Sequence, residues 1–175
     1  LHQLVDSNPN RTPAEILNAL DKEVINALHQ GKYSESGSKD GLDITLCKLN
    51  PKSLFLEFAG AGNPLYIIRK GELTVFKTDP YSIGYKLNGK VFEYTHHEIQ
   101  LESNDQLYLF SDGFAGQLGG IDGFQKFMYP RFREVIVSHS NLEMTEQSKK
   151  LYSIFSDWKG EAEQTDDIML IGLQV

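Results

Sequence analysis

The apolar positions of the chain change their period along its length, and the changes outline its elements. Over residues 12–30 they recur at helical spacing, as Ile16, Leu17, Leu20, Val24 and Leu28. Thr12-Pro13-Ala14-Glu15 heads this stretch: a Thr and a Glu three apart form a capping box, proline fits the first helical position, and Gly31 offers the end. Residues 32–42 are polar and contain glycine, which reads as a loop. Short strand-like runs follow. Residues 43–49 and 54–59 are two candidates, parted by the turn chemistry of Asn50-Pro51-Lys52-Ser53, with Leu54, Leu56 and Phe58 on one face. Gly60-Ala61-Gly62-Asn63-Pro64 breaks the second strand. It precedes a strand rather than the helix that a phosphate cradle needs, so it reads as a turn.

Leu65–Arg69 and Glu72–Phe76 predict a hairpin about Lys70-Gly71. Residues 78–90 read as a loop, 91–101 as a mixed segment with a strand near its end, and 106–111 as a short, almost wholly apolar strand. Residues 114–127 are glycine-rich, with Phe124 and Phe127 interspersed. Helical spacing returns after Pro130 with Phe132, Val135 and Ile136. It returns again over 145–158, where Leu151, Ile154, Phe155 and Trp158 share a face and Gly160 lies beyond the end. A strand over 168–175 closes the chain. Antiparallel strands between helices predict a layered α+β domain, and 175 residues fit one domain.

Charge and composition narrow the function. The formal net charge is −7 and no basic run exceeds two residues, so the chain is not expected to bind nucleic acid or an anionic membrane surface. No apolar stretch approaches a membrane span and no signal peptide is visible, which makes a cytoplasmic setting the expectation. The single cysteine, Cys47, has no internal partner and lies in an apolar run, as a small core residue does. The chain begins at Leu1 without methionine, as a piece of a longer protein would.

Two acidic sites stand out by position. Ser111-Asp112-Gly113 directly follows the apolar strand 107–110, so Asp112 is held at the end of a sheet strand and Gly113 lets the backbone turn and approach closely. Asp166-Asp167 directly precedes the apolar strand 168–173. Two adjacent carboxylates against a core strand repel each other unless a cation lies near, and such hard oxygen donors suit magnesium or manganese. Taken locally, an Asp-Gly after a strand is also an ordinary turn, and an Asp-Asp before one an ordinary solvated loop. The sequence leaves both readings open and does not show that the two sites meet. His96 and His97, being adjacent, would point to opposite faces of a strand and cannot share a metal.

Four segments in order carry a family resemblance: Lys39-Asp40-Gly41-Leu42-Asp43-Ile44-Thr45-Leu46, Phe58-Ala59-Gly60-Ala61-Gly62-Asn63-Pro64-Leu65-Tyr66, Asp105-Gln106-Leu107-Tyr108-Leu109-Phe110-Ser111-Asp112-Gly113, and Gln164-Thr165-Asp166-Asp167-Ile168-Met169-Leu170. Together they resemble the SpoIIE-type branch of the metal-dependent serine/threonine protein phosphatases, bacterial relatives of the type 2C enzymes. The resemblance implies a single domain over residues 1–175 with an α-β-β-α sandwich of two mainly antiparallel sheets flanked by helices. It implies hydrolysis of phosphoserine or phosphothreonine with two manganese or magnesium ions. It implies Asp112 and Asp166 as metal ligands and catalytic residues, with Gly113 and Asp167 in support. The implied partner is a phosphorylated regulatory protein, in this branch often of the anti-anti-sigma type.

The family's earlier Asp-Gly pair, whose aspartate bridges both metals, and the Gly-His-Gly after it have no counterpart here. Only Asp6 is acidic before the first long helix. The expectation is therefore a domain lacking its first metal-binding segment, weakly active or inactive by itself, with a pseudophosphatase or protein-binding regulatory module as the alternative. Missing strands would expose sheet edges, so self-association is expected too. Where relatives commonly carry an acidic residue, this chain has Gly116, which argues against an additional metal site.

Overall fold

The structure, a computed structural model, describes residues 1–29, 41–84 and 92–175. In chain order its elements are α1 (His2–Ser7), α2 (Pro13–His29), β1 (Ile44–Asn50), β2 (Phe55–Ala61), β3 (Leu65–Arg69), β4 (Glu72–Phe76), β5 (His97–Gln100), β6 (Gln106–Phe110), α3 (Gly113–Gly116), β7 (Leu118–Gly119), β8 (Gln125–Lys126), α4 (Tyr129–His139), α5 (Met144–Lys159) and β9 (Leu170–Gln174). They form two compact units, Leu1–Pro64 with Lys77–Leu101 and Leu65–Phe76 with Glu102–Val175. Gly31, the loop to residue 40, Asp40 and residues 85–91 lie outside the described residues.

In the first unit α2 lies on an antiparallel sheet of order β1-β2-β5. The capping box closes as the sequence implies: the Thr12 N–H donates to Glu15 at 2.8 Å and the Glu15 N–H to the Thr12 hydroxyl at 3.3 Å. The apolar stripe of α2, with Leu17 fully buried, packs on Ala59 and Ala61 of β2. β2 runs on through Gly60 and Ala61, two residues beyond the break expected there. The chain turns at Gly62, whose φ of +80° favours glycine and where a Cβ would run into the Asp43 carboxylate. Cys47 is half-buried on β1 rather than fully enclosed, and burial pushes its thiol up to about 12.

In the second unit an antiparallel sheet of order β4-β3-β6-β9 carries the helices. The β3–β4 hairpin turns on Lys70 and Gly71, both at positive φ, the geometry a two-residue hairpin loop requires. Tyr66, Ile68, Tyr108 and Phe110 project from the sheet into one aromatic core with Phe114, Phe127, Phe132, Ile136, Leu151 and Phe155. The Tyr108 hydroxyl donates to Gln147 of α5 at 2.7 Å, which fixes that helix over the sheet.

The Asp105 end of β6 is neutralised internally. Asp105 is 1% exposed and accepts from Arg69 Nε at 2.9 Å, from Arg69 Nη2 at 2.6 Å and from the Glu102 N–H at 2.8 Å. Burial alone would raise this carboxyl, but the hydrogen bonds from Arg69 and the Glu102 N–H outweigh it and hold the group below its ordinary value of 3.8. A depressed folded value stabilises above the unfolded one and is lost as pH falls through the folded one. Asp105→Asn is therefore expected to lower stability at neutral pH by about 2–3 kcal/mol and to flatten the acid limb of stability against pH. Urea unfolding of both proteins across the acid range measures this.

Candidate metal centre

Asp112 stands where β6 gives way to α3, and large buried side chains hold it on both sides. Phe110 lies two residues before it and Phe114 two residues after, both within the aromatic core. Phe114 meets Phe132 at 4.9 Å and Phe155 at 5.1 Å between ring centroids. The Asp112 carbonyl accepts from the Gly116 N–H at 2.8 Å, which closes the short helix. Asp112 is exposed, and its side chain does not cap α3 and has no hydrogen-bonding or ionic partner among the described residues.

The second acidic site reaches the same place through strand register. β6 and β9 pair antiparallel from Gln106↔Gln174 to Phe110↔Leu170. The pairing continues past both strands, because the Ser111 N–H donates to the Met169 carbonyl at 3.0 Å. The Ser111 hydroxyl then donates to the Asp167 carbonyl at 2.9 Å and accepts from the Met169 N–H at 2.9 Å. Gly113 comes next. A Cβ there would fall inside contact distance of the Asp167 carbonyl oxygen, so only glycine lets the two segments approach this closely.

Asp166 and Asp167 are both exposed, and the Asp167 N–H donates to Asp166 Oδ1 at 2.7 Å, which orients that carboxylate. Further stitches lie behind. Buried Gln117 donates to the Glu163 carbonyl at 2.9 Å, and the Gly120 N–H donates to the Trp158 carbonyl at 2.9 Å. The structure thus brings together the segments of all four residues singled out from sequence. Ser111 was part of the first acidic site but was given no role, and Gln117 was not singled out; the available signal was that in an antiparallel pair the end of one strand lies beside the start of the other.

Solvent-accessible carboxylates with no basic partner are the donor type that a hard divalent cation takes. They suit manganese or magnesium in kind. In number they fall short, since no group of three or more His, Cys, Asp or Glu side chains that could hold a metal occurs among the described residues. At Gly116 a Cβ would meet open space, so the position accommodates a side chain without being given one.

Comparison with known proteins agrees with this architecture. The family model for stage II sporulation protein E (SpoIIE) matches residues 1–175. The SiaA-PP2C domain of Pseudomonas aeruginosa superposes with a TM-score of 0.83 at 26% identity, over 99% of this chain and 65% of that one. The phosphatase domain of the cell fate determinant SpoIIE from Bacillus subtilis, presoaked with Mn, gives 0.55 at 13% identity, over 99% and 70%. RsbX in complex with magnesium gives 0.62 at 17% identity, over 97% and 68%. The expected α+β fold of antiparallel sheets with flanking helices is the fold of these PP2C domains. This chain spans about two thirds of their length. Comparison with curated protein sequences gives no match.

Substitutions at two positions test the junction. Gly113→Ala forces the Asp167 backbone away and is expected to cost about 1–3 kcal/mol or more. Ser111→Ala removes two hydrogen bonds and is expected to cost about 1–2 kcal/mol, while Ser111→Thr keeps the hydroxyl and most of the stability. Thermal unfolding of the three variants against the parent chain measures the order.

Proposed function

The chain belongs to the SpoIIE family, and on that footing we propose that its parent protein hydrolyses phosphoserine or phosphothreonine on a regulatory protein, using Asp112 and Asp166 to hold manganese or magnesium. The observation that supports this reading is the β6–β9 register, which sets the backbone segments carrying the two strand-end aspartates side by side, neither with a basic side-chain partner among the described residues. Such an ion, when bound, acidifies a coordinated water and offsets the charge of the phosphate oxygens, chemistry that needs no covalent enzyme intermediate.

The chain's own residues supply the frame. Asp112 offers an unengaged carboxylate. Asp166 is oriented through Oδ1 by the Asp167 N–H and keeps Oδ2 for a cation. Asp167 is the group that would orient water beside it, and Gly113 keeps the two segments in contact. The likeness to PP2C domains supports the phosphatase class; a substrate of the anti-anti-sigma type, and action in the cytoplasm, are part of the proposal. No helix among the described residues is long and apolar enough to cross a membrane.

A second reading, a pseudophosphatase or regulatory binding module, is favoured by the lack of any three-donor group among the described residues. Hydrolysis of p-nitrophenyl phosphate against manganese concentration separates the two. For the enzyme reading, the chain shows slow, manganese-dependent turnover that falls to the metal-free rate in Asp112→Ala and survives in Asp122→Ala, a change at an exposed aspartate in the turn between β7 and β8. Absence of turnover at every manganese concentration, with the fold intact, leaves the binding module.

A further inference from the structure

Gln117 directly follows α3 and is 2% exposed. Burying an amide costs stability unless its donors are matched. Here the side-chain amide donates to the Leu118 carbonyl at 2.9 Å and to the Glu163 carbonyl at 2.9 Å. The main-chain carbonyl accepts from the Phe127 N–H at 3.0 Å and from Trp158 Nε1 at 3.2 Å. Position 117 is therefore tied both to the end of α5 and to the segment before α4. Asp112 stands at the other end of the same four-residue helix, whose Gly116 N–H donates to the Asp112 carbonyl.

The segment that the Gln117 side chain reaches is the one leading to Asp166. Residues 161–167 carry the carboxylates of Glu161, Glu163, Asp166 and Asp167, all exposed, and no basic residue. None of these has an ion-pair partner among the described residues. Their repulsion from one another and from Asp112 favours a segment swung out into solvent. Ser111 holds its far end at the Asp167 carbonyl, and Lys159 holds its near end at the Ala162 carbonyl. Beyond the adjoining Lys159, Gln117 is the one side chain among the described residues that bonds residues 160–166 from outside. Glu163 is exposed, so water would satisfy its carbonyl if the segment moved out; what the buried amide adds is position. A neutral donor suits this task, because a basic side chain would pair with the carboxylates that it has to leave open.

We propose that Gln117 is a positioning residue for the cation site. It references the Asp166 segment to the helix that begins at Asp112, and so sets how tightly the two carboxylates together hold manganese or magnesium. The inference rests on the reading of Asp112 and Asp166 as cation ligands; Gln117 itself touches neither the cation nor the substrate.

Manganese binding followed by electron paramagnetic resonance, with nitrogen relaxation of the metal-free chain, tests this. The parent chain is expected to bind manganese, and Asp112→Ala to lose that binding. Gln117→Met keeps the length of the side chain and removes both donors. It is expected to weaken manganese binding about 10-fold and to lower the order parameters of residues 161–166, while those of β6 and β9 hold. Gln117→Leu, which packs differently, is expected to do the same and serves if the methionine variant does not fold. Gln147→Met removes another amide that is 2% exposed, one bonded to Tyr108 and to the Leu142 carbonyl, and is expected to leave manganese binding unchanged. Equal weakening in Gln147→Met would reduce the effect to a general loosening and overturn the proposal. So would parent-like binding in the Gln117 variants, or weaker binding with unchanged order parameters. A parent chain that binds no manganese, or binds it equally in Asp112→Ala, instead overturns the cation reading and this inference with it.

Discussion

Everything that gives this chain a candidate site depends on one antiparallel pairing, that of β6 with β9. Its register sets Phe110 opposite Leu170, and a slip of β9 by one residue would turn Leu170 and Gly172 away from the face that carries α5. The register carries on for three residues beyond the strands, through Ser111 and Gly113. The acidic ends of two segments more than fifty residues apart in sequence are neighbours as a result.

The same strand pair meets a carboxylate at each end and treats them differently. Asp105 is buried and answered by the Arg69 guanidinium and a backbone N–H, so its charge is satisfied within the protein. At the opposite end Asp112 and Asp166 reach solvent, and no basic side chain among the described residues answers them. The aromatic core, with Phe110 and Phe114 on either side of Asp112, fixes the backbone from which that carboxylate projects. A cation from outside is the physical complement of that arrangement, whether it serves hydrolysis or only holds a fold adapted to bind a partner.

Much of this was legible in the sequence because it is local. The capping box before α2, the Lys70-Gly71 turn and the spacing of Leu151, Ile154, Phe155 and Trp158 each depend on a few neighbouring residues, and each appears as read. β2 runs past its expected end because Gly60 and Ala61 are tolerated inside a strand whose neighbours cover them. The short elements α1, α3, β7 and β8 leave too few residues for a period to register. Asp112, Gly113, Asp166 and Asp167 were visible as polar ends of apolar strands. Their meeting was not, since it follows from register between distant segments. The roles of Ser111 and Gln117 lie in hydrogen bonds to backbone carbonyls, which residue type alone does not announce.

The most direct test of the central claim is paramagnetic broadening of backbone amide resonances as manganese is added to the chain. If the β6–β9 register builds one cation site, the amides of residues 111–114 and 165–168 broaden together and first, while those of residues 102–105 at the other end of the sheet stay sharp. Broadening of only one of the two acidic segments, or equal broadening at every exposed carboxylate, would contradict it.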